Sequence, residues 1–170
     1  GLLQNPAEIE RQARRMLDDP RAVALVDQFA GQWLYIRALT DAAPDVWYFP
    51  QWDDELRAAM AEEMRAFFSS ILFDGRPVSD LLTERSTFVN QRLATHYGVA
   101  WPGGDPAAFT RVDWPADSNR IGFLTQGGLL TALSYPTRTS PVRRGKWVLG
   151  QLLCTEPPPP PPGVEGLPAE

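Results

Sequence analysis

Residues 134–162 read SYPTRTSPVRRGKWVLGQLLCTEPPPPPP and join a turn, the start of a helix and a run of prolines. Thr139 or Ser140 can cap this helix, because a hydroxyl oxygen accepts a hydrogen bond from a free amide of the first turn. Pro141 suits the first helical position, where its missing amide hydrogen would have been unpaired. The spacing of the apolar residues that follow predicts a helix over 141–153.

Four basic residues surround the start of this predicted helix: Arg138, Arg143, Arg144 and Lys146. Their position opposes the helix macrodipole, whose N-terminal end favours anions. A negative group is therefore expected nearby, either an internal carboxylate or a bound anion, and internal ion pairs are the preferred interpretation. The candidate residues for binding an anion or a partner are Arg138, Thr139, Ser140, Arg143, Arg144 and Lys146.

Gly145 lies in the interior of the same predicted helix. Glycine at such a position costs about 1 kcal/mol relative to alanine. Its lack of a side chain therefore predicts that a neighbouring segment packs closely against the helix at this point.

Six consecutive prolines at 157–162 cannot donate backbone hydrogen bonds and predict a polyproline II segment. At about 3.1 Å per residue the run would span roughly 19 Å. The preferred interpretation is a stiff linker, and the alternative is a strip that docks in an aromatic groove. We therefore divide the chain into a helical domain over 1–156 and a polyproline linker or tail over 157–170.

The composition suits one globular domain with a hydrophobic core, since 44% of the 170 residues are hydrophobic. The net charge of −5 argues against general nucleic-acid binding, and no stretch reaches the apolar length of a membrane span. Cys154 is the only cysteine and His96 the only histidine, so no metal site is expected. Gly1 in place of an initiator methionine suggests a fragment of a longer chain.

Apolar residues recur at helical spacing along most of the chain. Together with capping residues they predict helices over about 6–17, 20–39, 53–72, 86–97, 122–133 and 141–153, with one short turn at 78–82. The stretch 101–119 predicts an irregular loop, in which the alternating pattern of 109–114 allows a short strand. The predicted fold class is all-α, a bundle-like domain of about six helices with one long irregular loop and a C-terminal polyproline II tail.

Five acidic residues lie along the predicted helix over 53–72: Asp53, Asp54, Glu55, Glu62 and Glu63. The first three favour the positive end of that helix. Glu62 and Glu63 are adjacent and therefore point in different directions on a helix. We interpret the whole group as solvated and structural rather than as a set of catalytic carboxylates.

His96 lies at the predicted end of a helix that Gly98 closes in the left-handed conformation. The preferred interpretation is structural, with a protonated imidazole stabilised by the helix C-terminus. The functional alternatives are a haem axial ligand and a general base. No catalytic residue is assigned, since Ser134, Thr139 and Ser140 lack the sharp turn that exposes a nucleophilic serine.

A loop that is bounded by prolines contains four aromatic residues: Trp47, Tyr48, Phe49 and Trp52. The preferred interpretation is that these aromatic residues are buried and close the base of the core. If exposed, Trp47, Tyr48 and Trp52 would instead form a surface for sugar rings or for a protein partner.

Several segments together resemble a known family. They are FAGQWL (29–34), Phe49-Pro50 with LRAAM (56–60), NQRLATHYG (90–98), GFLT (122–125), PTRTSPVRRGKW (136–147) and the proline run. The chain resembles the paired domain-of-unknown-function modules in large exported proteins of planctomycetes, myxobacteria and their relatives. These modules are often associated with planctomycete-type c-type cytochrome domains, and the Arg-Thr-Ser-Pro-Val-x-Arg-Gly-Lys-Trp block before a proline run is specific to them.

The resemblance implies a non-catalytic scaffold or interaction module of an exported, cytochrome-associated multidomain protein. Relatives usually continue into a Cys-x-x-Cys-His haem-attachment motif, which is not present in this sequence. We therefore expect no cofactor bound by this chain alone, with haem in an associated segment or partner. The expected partner is a protein, such as a c-type cytochrome, or a covalently continuous C-terminal segment.

The resemblance also implies export to the periplasm, the cell surface or the medium. In the alternative interpretation the chain is part of a redox or degradative enzyme, whose site is completed by a missing haem-bearing segment. The sequence leaves open whether the protein is an enzyme.

Overall fold

The computed structural model describes residues 4–158, and the elements pack around one central helix of 20 residues. The helices are α1 (Pro6–Leu17), α2 (20–33), α3 (Asp54–Phe73), α4 (Asp80–Thr83), α5 (Gln91–Tyr97), α6 (Gly127–Ala132) and α7 (141–152). Single 3₁₀ turns at Arg37–Asp41 and Phe123–Thr125, with strands β1 (Ser86–Val89) and β2 (Thr110–Asp113), complete the fold. The central helix, α3, contacts β1, α5 and α6, so it positions most of the other elements.

The all-α prediction is wrong, because β1 and β2 pair as a two-stranded antiparallel sheet. Ser86 lies opposite Asp113, and Val89 lies opposite Thr110. The described part of the chain also has seven helices rather than about six. The protein is therefore a mixed α/β domain.

The missed strand is β1, where the sequence pattern predicted the start of a helix. The helix begins only at Gln91, because Asn90 is its cap and accepts a 2.9 Å hydrogen bond from the Leu93 amide. Thr87 and Val89 are β-branched and favour extended backbone, and pairing with β2 stabilises that conformation. The predicted strand within 109–114 is confirmed.

Several predicted helix ends are confirmed because their signals are local. Asn5 and Asp53 accept hydrogen bonds from amides in the first turns of α1 and α3. Ser140 rather than Thr139 caps α7 and accepts a 3.3 Å hydrogen bond from the Arg143 amide. At the C-terminal end of α5, Gly98 adopts the predicted left-handed backbone, with φ of 67°.

The helix predicted over 20–39 is interrupted after Trp33. Tyr35 has φ of 60°, which is left-handed backbone and ends the helical run before the 3₁₀ turn at Arg37–Asp41. The break lets the chain bury Ile36 and Leu39, while the Tyr35 ring packs edge-on against Trp147 with centroids 6.2 Å apart. Tertiary packing therefore overrides the helical pattern here.

One hydrophobic core connects residues from α2 to α7. Its largest fully buried apolar side chains are Val26, Leu34, Ile36, Leu39, Leu56, Met64, Phe67, Leu93, Phe123 and Leu129. The proposed tail over 157–170 lies almost wholly outside the described residues, which end at Pro158. Among those residues, no helix has the length and apolar character needed to cross a bilayer.

The close approach predicted at Gly145 is wrong. A Cβ atom added there would meet no described atom of a neighbouring segment within 4 Å. The tight glycines are in α6 instead, where a Cβ on Gly128 would lie 2.3 Å from the Met64 sulfur and one on Gly127 would lie 2.8 Å from the Tyr97 hydroxyl. Glycine is needed at those positions because α6 packs directly on α3 and on the ring of Tyr97.

Candidate functional site

A cleft of about 470 Å³, here called the arginine cleft, opens between the loop 44–52, the end of α5, α6 and the segment 134–144. The Asp45 amide donates a 2.9 Å hydrogen bond to the Pro136 carbonyl and ties two of its walls together. Its cationic and aromatic lining residues are Arg120, Arg138, Arg144, His96, Tyr48, Phe49, Trp52, Tyr97 and Tyr135. No aspartate or glutamate is found among the described residues that line it.

The arginine cleft brings together six of the residues that the sequence singled out. These are Tyr48, Trp52, His96, Arg138, Thr139 and Arg144. The other candidates lie elsewhere: Ser140 is buried as the cap of α7, while Arg143, Lys146 and Trp47 are exposed outside the lining. The basic cluster is therefore divided between the cleft and the outer surface.

Arg143 is held by groups other than a carboxylate. Its Nη1 donates a 2.7 Å hydrogen bond to the Ser134 carbonyl, and its guanidinium lies 5.2 Å from the centre of the Tyr135 ring. Arg138 stacks on the same ring at 4.8 Å. Within residues 4–158, no ion pair involves Arg143, Arg144 or Lys146. Internal ion pairs are the preferred interpretation of the basic cluster from sequence, and this interpretation is wrong for these three residues.

Two polar side chains of the cleft have buried atoms without a partner among the described residues. They are Nδ1 of His96 and Nε of Arg144. A buried polar atom that makes no hydrogen bond costs about 1–3 kcal/mol relative to one that does. Both residues line the cleft, so a group that reached either nitrogen would gain free energy by supplying it with an acceptor or donor.

His96 lies in the last turn of α5, as predicted, but its surroundings disfavour the protonated form. Burial, followed by the positive charges of Arg92 and Arg120, lowers the pKa of His96 below its ordinary value. The structural interpretation required a protonated imidazole at the helix end, and these groups oppose it. Near neutral pH the cleft therefore contains a neutral imidazole.

A fully buried carboxyl group, that of Glu63, lies directly behind the cleft wall. The Thr87 hydroxyl and the Tyr97 hydroxyl each donate a 2.6 Å hydrogen bond to it. The Gly127 amide in turn donates a 2.8 Å hydrogen bond to the Tyr97 hydroxyl. Burial raises the pKa of Glu63 to about 7 despite these hydrogen bonds, so the carboxyl titrates near neutral pH.

The interpretation of Glu63 as solvated is wrong. Glu63 follows Met60 by three residues and precedes Phe67 by four, and this spacing places it on the buried face of α3. That spacing was the signal available in the sequence. Its neighbour Glu62 is exposed, as expected.

Arg120 is the lining cation that the sequence did not indicate. Its guanidinium lies 4.3 Å from the centre of the Tyr97 ring and 5.2 Å from that of Trp114, and its Nη1 donates a 2.8 Å hydrogen bond to the Thr125 carbonyl. These contacts hold the positively charged guanidinium of Arg120 in the cleft beside Tyr97. No local motif marks Arg120, because its partners come from distant segments.

The aromatic loop is not buried as a unit. Trp47 is 87% exposed, Tyr48 60% and Phe49 41%, so the preferred interpretation of a buried cluster is wrong for these three residues. Trp52 is partly buried against the core, and Arg57 lies 5.6 Å from the centre of its ring. The loop therefore supplies one wall of the cleft and an exposed rim.

The residues present do not fit a haem attached to this chain. Attachment of a c-type haem uses a Cys-x-x-Cys-His motif, whereas Cys154 is the only cysteine and does not line the cleft. His96 is the only histidine, and no group of three or more metal-binding side chains occurs in the described part of the chain. A haem attached through a Cys-x-x-Cys-His motif would have to be carried by another segment or partner.

The fold and the site define a small mixed α/β domain with an aromatic, cationic binding cleft. Residues 1–99, more than half of the sequence, match the family model described as PSD4, protein of unknown function (DUF1592), and the chain belongs to this family. Residues 120–170 match the model described as PSCyt3, protein of unknown function (DUF1588). By name, these are planctomycete-type cytochrome-associated domains. No curated protein and no solved structure matches the chain.

Proposed function

We propose that this chain is a binding module of a cytochrome-associated multidomain protein, and that its partner or ligand places a negatively charged group in the arginine cleft. The observation that carries the proposal is the lining itself, with three arginines and no carboxylate among the described lining residues. The net charge of the chain is −5, so this local positive charge runs against the balance of the whole molecule. Such a cleft favours anions over the rest of the surface.

The surroundings of the cleft arginines strengthen their attraction for anions. Its arginines lie beside rings and partly buried backbone, where water screens charge less than it does at an open surface. Arginine also binds carboxylates through two parallel hydrogen bonds, which adds geometric selectivity. Arg144 has no hydrogen bond or ion pair through its side chain among the described residues and is thus available for such a contact.

In this proposal the chain acts as a scaffold and does not catalyse a reaction. Its partner is a protein or a continuous C-terminal segment that carries the haem, such as a c-type cytochrome, and the whole assembly is exported. The names of the matching domains support the cytochrome association. The cleft binds a negatively charged group, whether of the partner or of a ligand, and not the haem iron.

Hexaglutamate and hexaglutamine peptides test this proposal with matched probes. We expect hexaglutamate to shift the ring-proton NMR resonances of His96, which are unambiguous because the chain has a single histidine. The Arg144→Gln variant is expected to weaken this binding by about tenfold, since it removes a direct charge contact. Lys146→Gln is the control, because Lys146 lies on the same helix outside the cleft lining and loses the same charge.

Two results would contradict the proposal. One is equal binding of the two peptides, and the other is an equal loss of hexaglutamate affinity in the Arg144→Gln and Lys146→Gln variants. The second result would mean that only the net charge matters.

A second candidate function is part of a redox or degradative enzyme completed by a haem-bearing segment. One observation favours it: a carboxyl group that titrates near neutral pH, Glu63, is connected to the cleft through the Tyr97 hydroxyl. If this candidate is correct, any turnover measured with the reconstituted assembly should be lost in Tyr97→Phe while peptide binding is kept.

A further inference from the structure

We propose that the arginine cleft is a small-molecule site for a carboxylate carried on a planar ring. This inference rests on the proposed function, since it assumes that the cleft accepts a negative group. It goes further by defining the rest of the ligand. Three features of the cleft support it: its dimensions, its aromatic walls and its unpartnered polar atoms.

The dimensions favour a compact ligand. A cavity of about 470 Å³ lies in the range of roughly 300–1,000 Å³ that is typical of sites for small molecules. The tie between the Asp45 amide and the Pro136 carbonyl brings two of its walls together at one point. A flat, compact molecule suits such a space better than an extended acidic peptide, of which only one side chain would enter.

The walls supply aromatic rings on two sides, and the free ring faces come from the loop 44–52, since Arg138 and Arg143 already stack on Tyr135. Tyr48, Phe49 and Trp52 come from one loop, and Tyr135 comes from the segment across the cleft. Tyr48 and Phe49 are exposed, so a ligand can reach their rings. Offset stacking between aromatic rings stabilises a complex beyond the effect of the buried area, and a saturated ring does not gain this contribution in the same way.

The polar atoms define the charged end of the ligand. Arg144 and His96 both line the cleft, and each has a buried nitrogen without a partner in the described part of the chain. A carboxylate has two oxygens and can accept hydrogen bonds from both side chains, whereas a hydroxyl or a neutral amide satisfies them less well. The site therefore combines aromatic walls with one carboxylate-binding end.

Binding of such a ligand should change the protonation of His96. In the free protein, burial and the charges of Arg92 and Arg120 lower the pKa of His96. The other charged or titratable side chains that line the cleft are Arg138, Arg144, Tyr48, Tyr97 and Tyr135, and Glu63 lies behind Tyr97. A carboxylate beside the imidazole favours its charged form, so the pKa of His96 should rise when the ligand binds.

The test uses three matched probes: 2-naphthoate, its neutral amide 2-naphthamide, and the saturated acid decahydronaphthalene-2-carboxylate. Calorimetry and NMR titration of His96 would be done on the full chain. We expect 2-naphthoate to bind at least about tenfold more tightly than either of the other probes. We also expect the pKa of His96 to rise only when one of the two carboxylates is bound.

Two variants test the contributions of the ligand's carboxylate and of its planar ring separately. Arg144→Gln is expected to remove the preference for 2-naphthoate over the amide. Tyr48→Leu is expected to remove the preference for 2-naphthoate over the saturated acid, and Trp47→Leu is the control because Trp47 is exposed outside the lining. Far-ultraviolet circular dichroism of each variant checks that the fold is kept.

The outcomes distinguish the inference from the proposed function. If hexaglutamate binds but 2-naphthoate is no better than the saturated acid, the planar-ring inference is wrong while the binding module remains. If neither hexaglutamate nor 2-naphthoate moves the His96 resonances, both are wrong. Binding of 2-naphthoate that is unaffected by Arg144→Gln and Tyr48→Leu would also overturn the inference, because the ligand would then occupy another place.

Discussion

Replacing Glu63 with glutamine is expected to remove a pH dependence of stability worth about 3 kcal/mol. Burial raises the pKa of this carboxyl from 4.5 to about 7 on folding, and a tenfold change in proton affinity corresponds to about 1.36 kcal/mol. The folded state therefore binds the proton more tightly than the unfolded state. Below about pH 4.5 the carboxyl is neutral in both states, and Glu63 imposes no charge penalty.

As the pH rises from about 4.5 to about 7, the unfolded state releases the proton first and the free energy of unfolding falls. Above about pH 7 both states are ionised, and the full penalty of the buried charge is present. Glutamine does not titrate, so the variant should be more stable than the wild type near pH 8. Its amide can accept from one hydroxyl and donate to the other. Gln126 now donates from Nε2 to the Thr87 hydroxyl, and with its amide turned over its unpartnered Oε1 can accept from Thr87 instead.

Urea unfolding of the wild type and Glu63→Gln at several values between about pH 4 and pH 8 measures this effect. Glu62→Gln is the matched control, because it removes an exposed carboxyl from the adjacent position. His96 has a lowered pKa and contributes in the opposite direction, but it is present in all three proteins and cancels in the difference. Parallel pH profiles for wild type and Glu63→Gln would show that folding leaves the proton affinity of this carboxyl unchanged.

The second large effect is expected from Gly122→Ala, which should lower the free energy of unfolding by about 4 kcal/mol. Gly122 has φ of 56° and ψ of −170°, a combination that costs residues other than glycine about 1–3 kcal/mol. An added Cβ would also lie 2.6 Å from the carbonyl oxygens of Leu81 and Leu82. These atoms belong to the backbone of α4 and cannot move aside as a flexible side chain would, so overpacking adds a further penalty of about 1–3 kcal/mol.

Gly145→Ala is the control for this variant. It introduces the same methyl group inside α7, where the added Cβ would meet no described atom within 4 Å apart from those of its own helix turn. We expect it to stabilise the protein by up to about 1 kcal/mol because alanine favours helix. Thermal and urea unfolding of both variants would measure the difference, and a loss of stability as large in Gly145→Ala as in Gly122→Ala would refute the explanation by close backbone contact.

The parts of the fold that were predictable from sequence depend on neighbours a few residues apart. Asn5, Asp53 and Ser140 each accept a hydrogen bond from an amide two or three residues later, so their capping roles follow from local pattern. The strand at Ser86–Val89 is different, since it is stabilised by pairing with residues more than 20 positions further along the chain. The sequence of this segment favours a helix, and the segment is a strand because it pairs with β2.

The candidate site was predictable only in part for the same reason. Arg138 and Arg144 were identified because they surround a helix start, and His96 because it is the only histidine. Arg120 could not be identified, because its role depends on the rings of Tyr97 and Trp114. The correct sorting of the basic cluster also required the structure, since sequence alone does not show which arginines line the cleft.

The hydrogen bonds between Glu63, Tyr97 and Gly127 cross the boundary between the two family models. Glu63 and Tyr97 fall within residues 1–99, whereas Gly127 falls within 120–170. The hydrophobic core is shared in the same way, since it includes both Phe67 and Phe123. In this chain the two matched segments are therefore complementary pieces of one folding unit, and separating them would expose apolar surface that each buries against the other. Selection should therefore keep the two pieces together in one gene, and substitutions on the two sides should show correlated change across evolution.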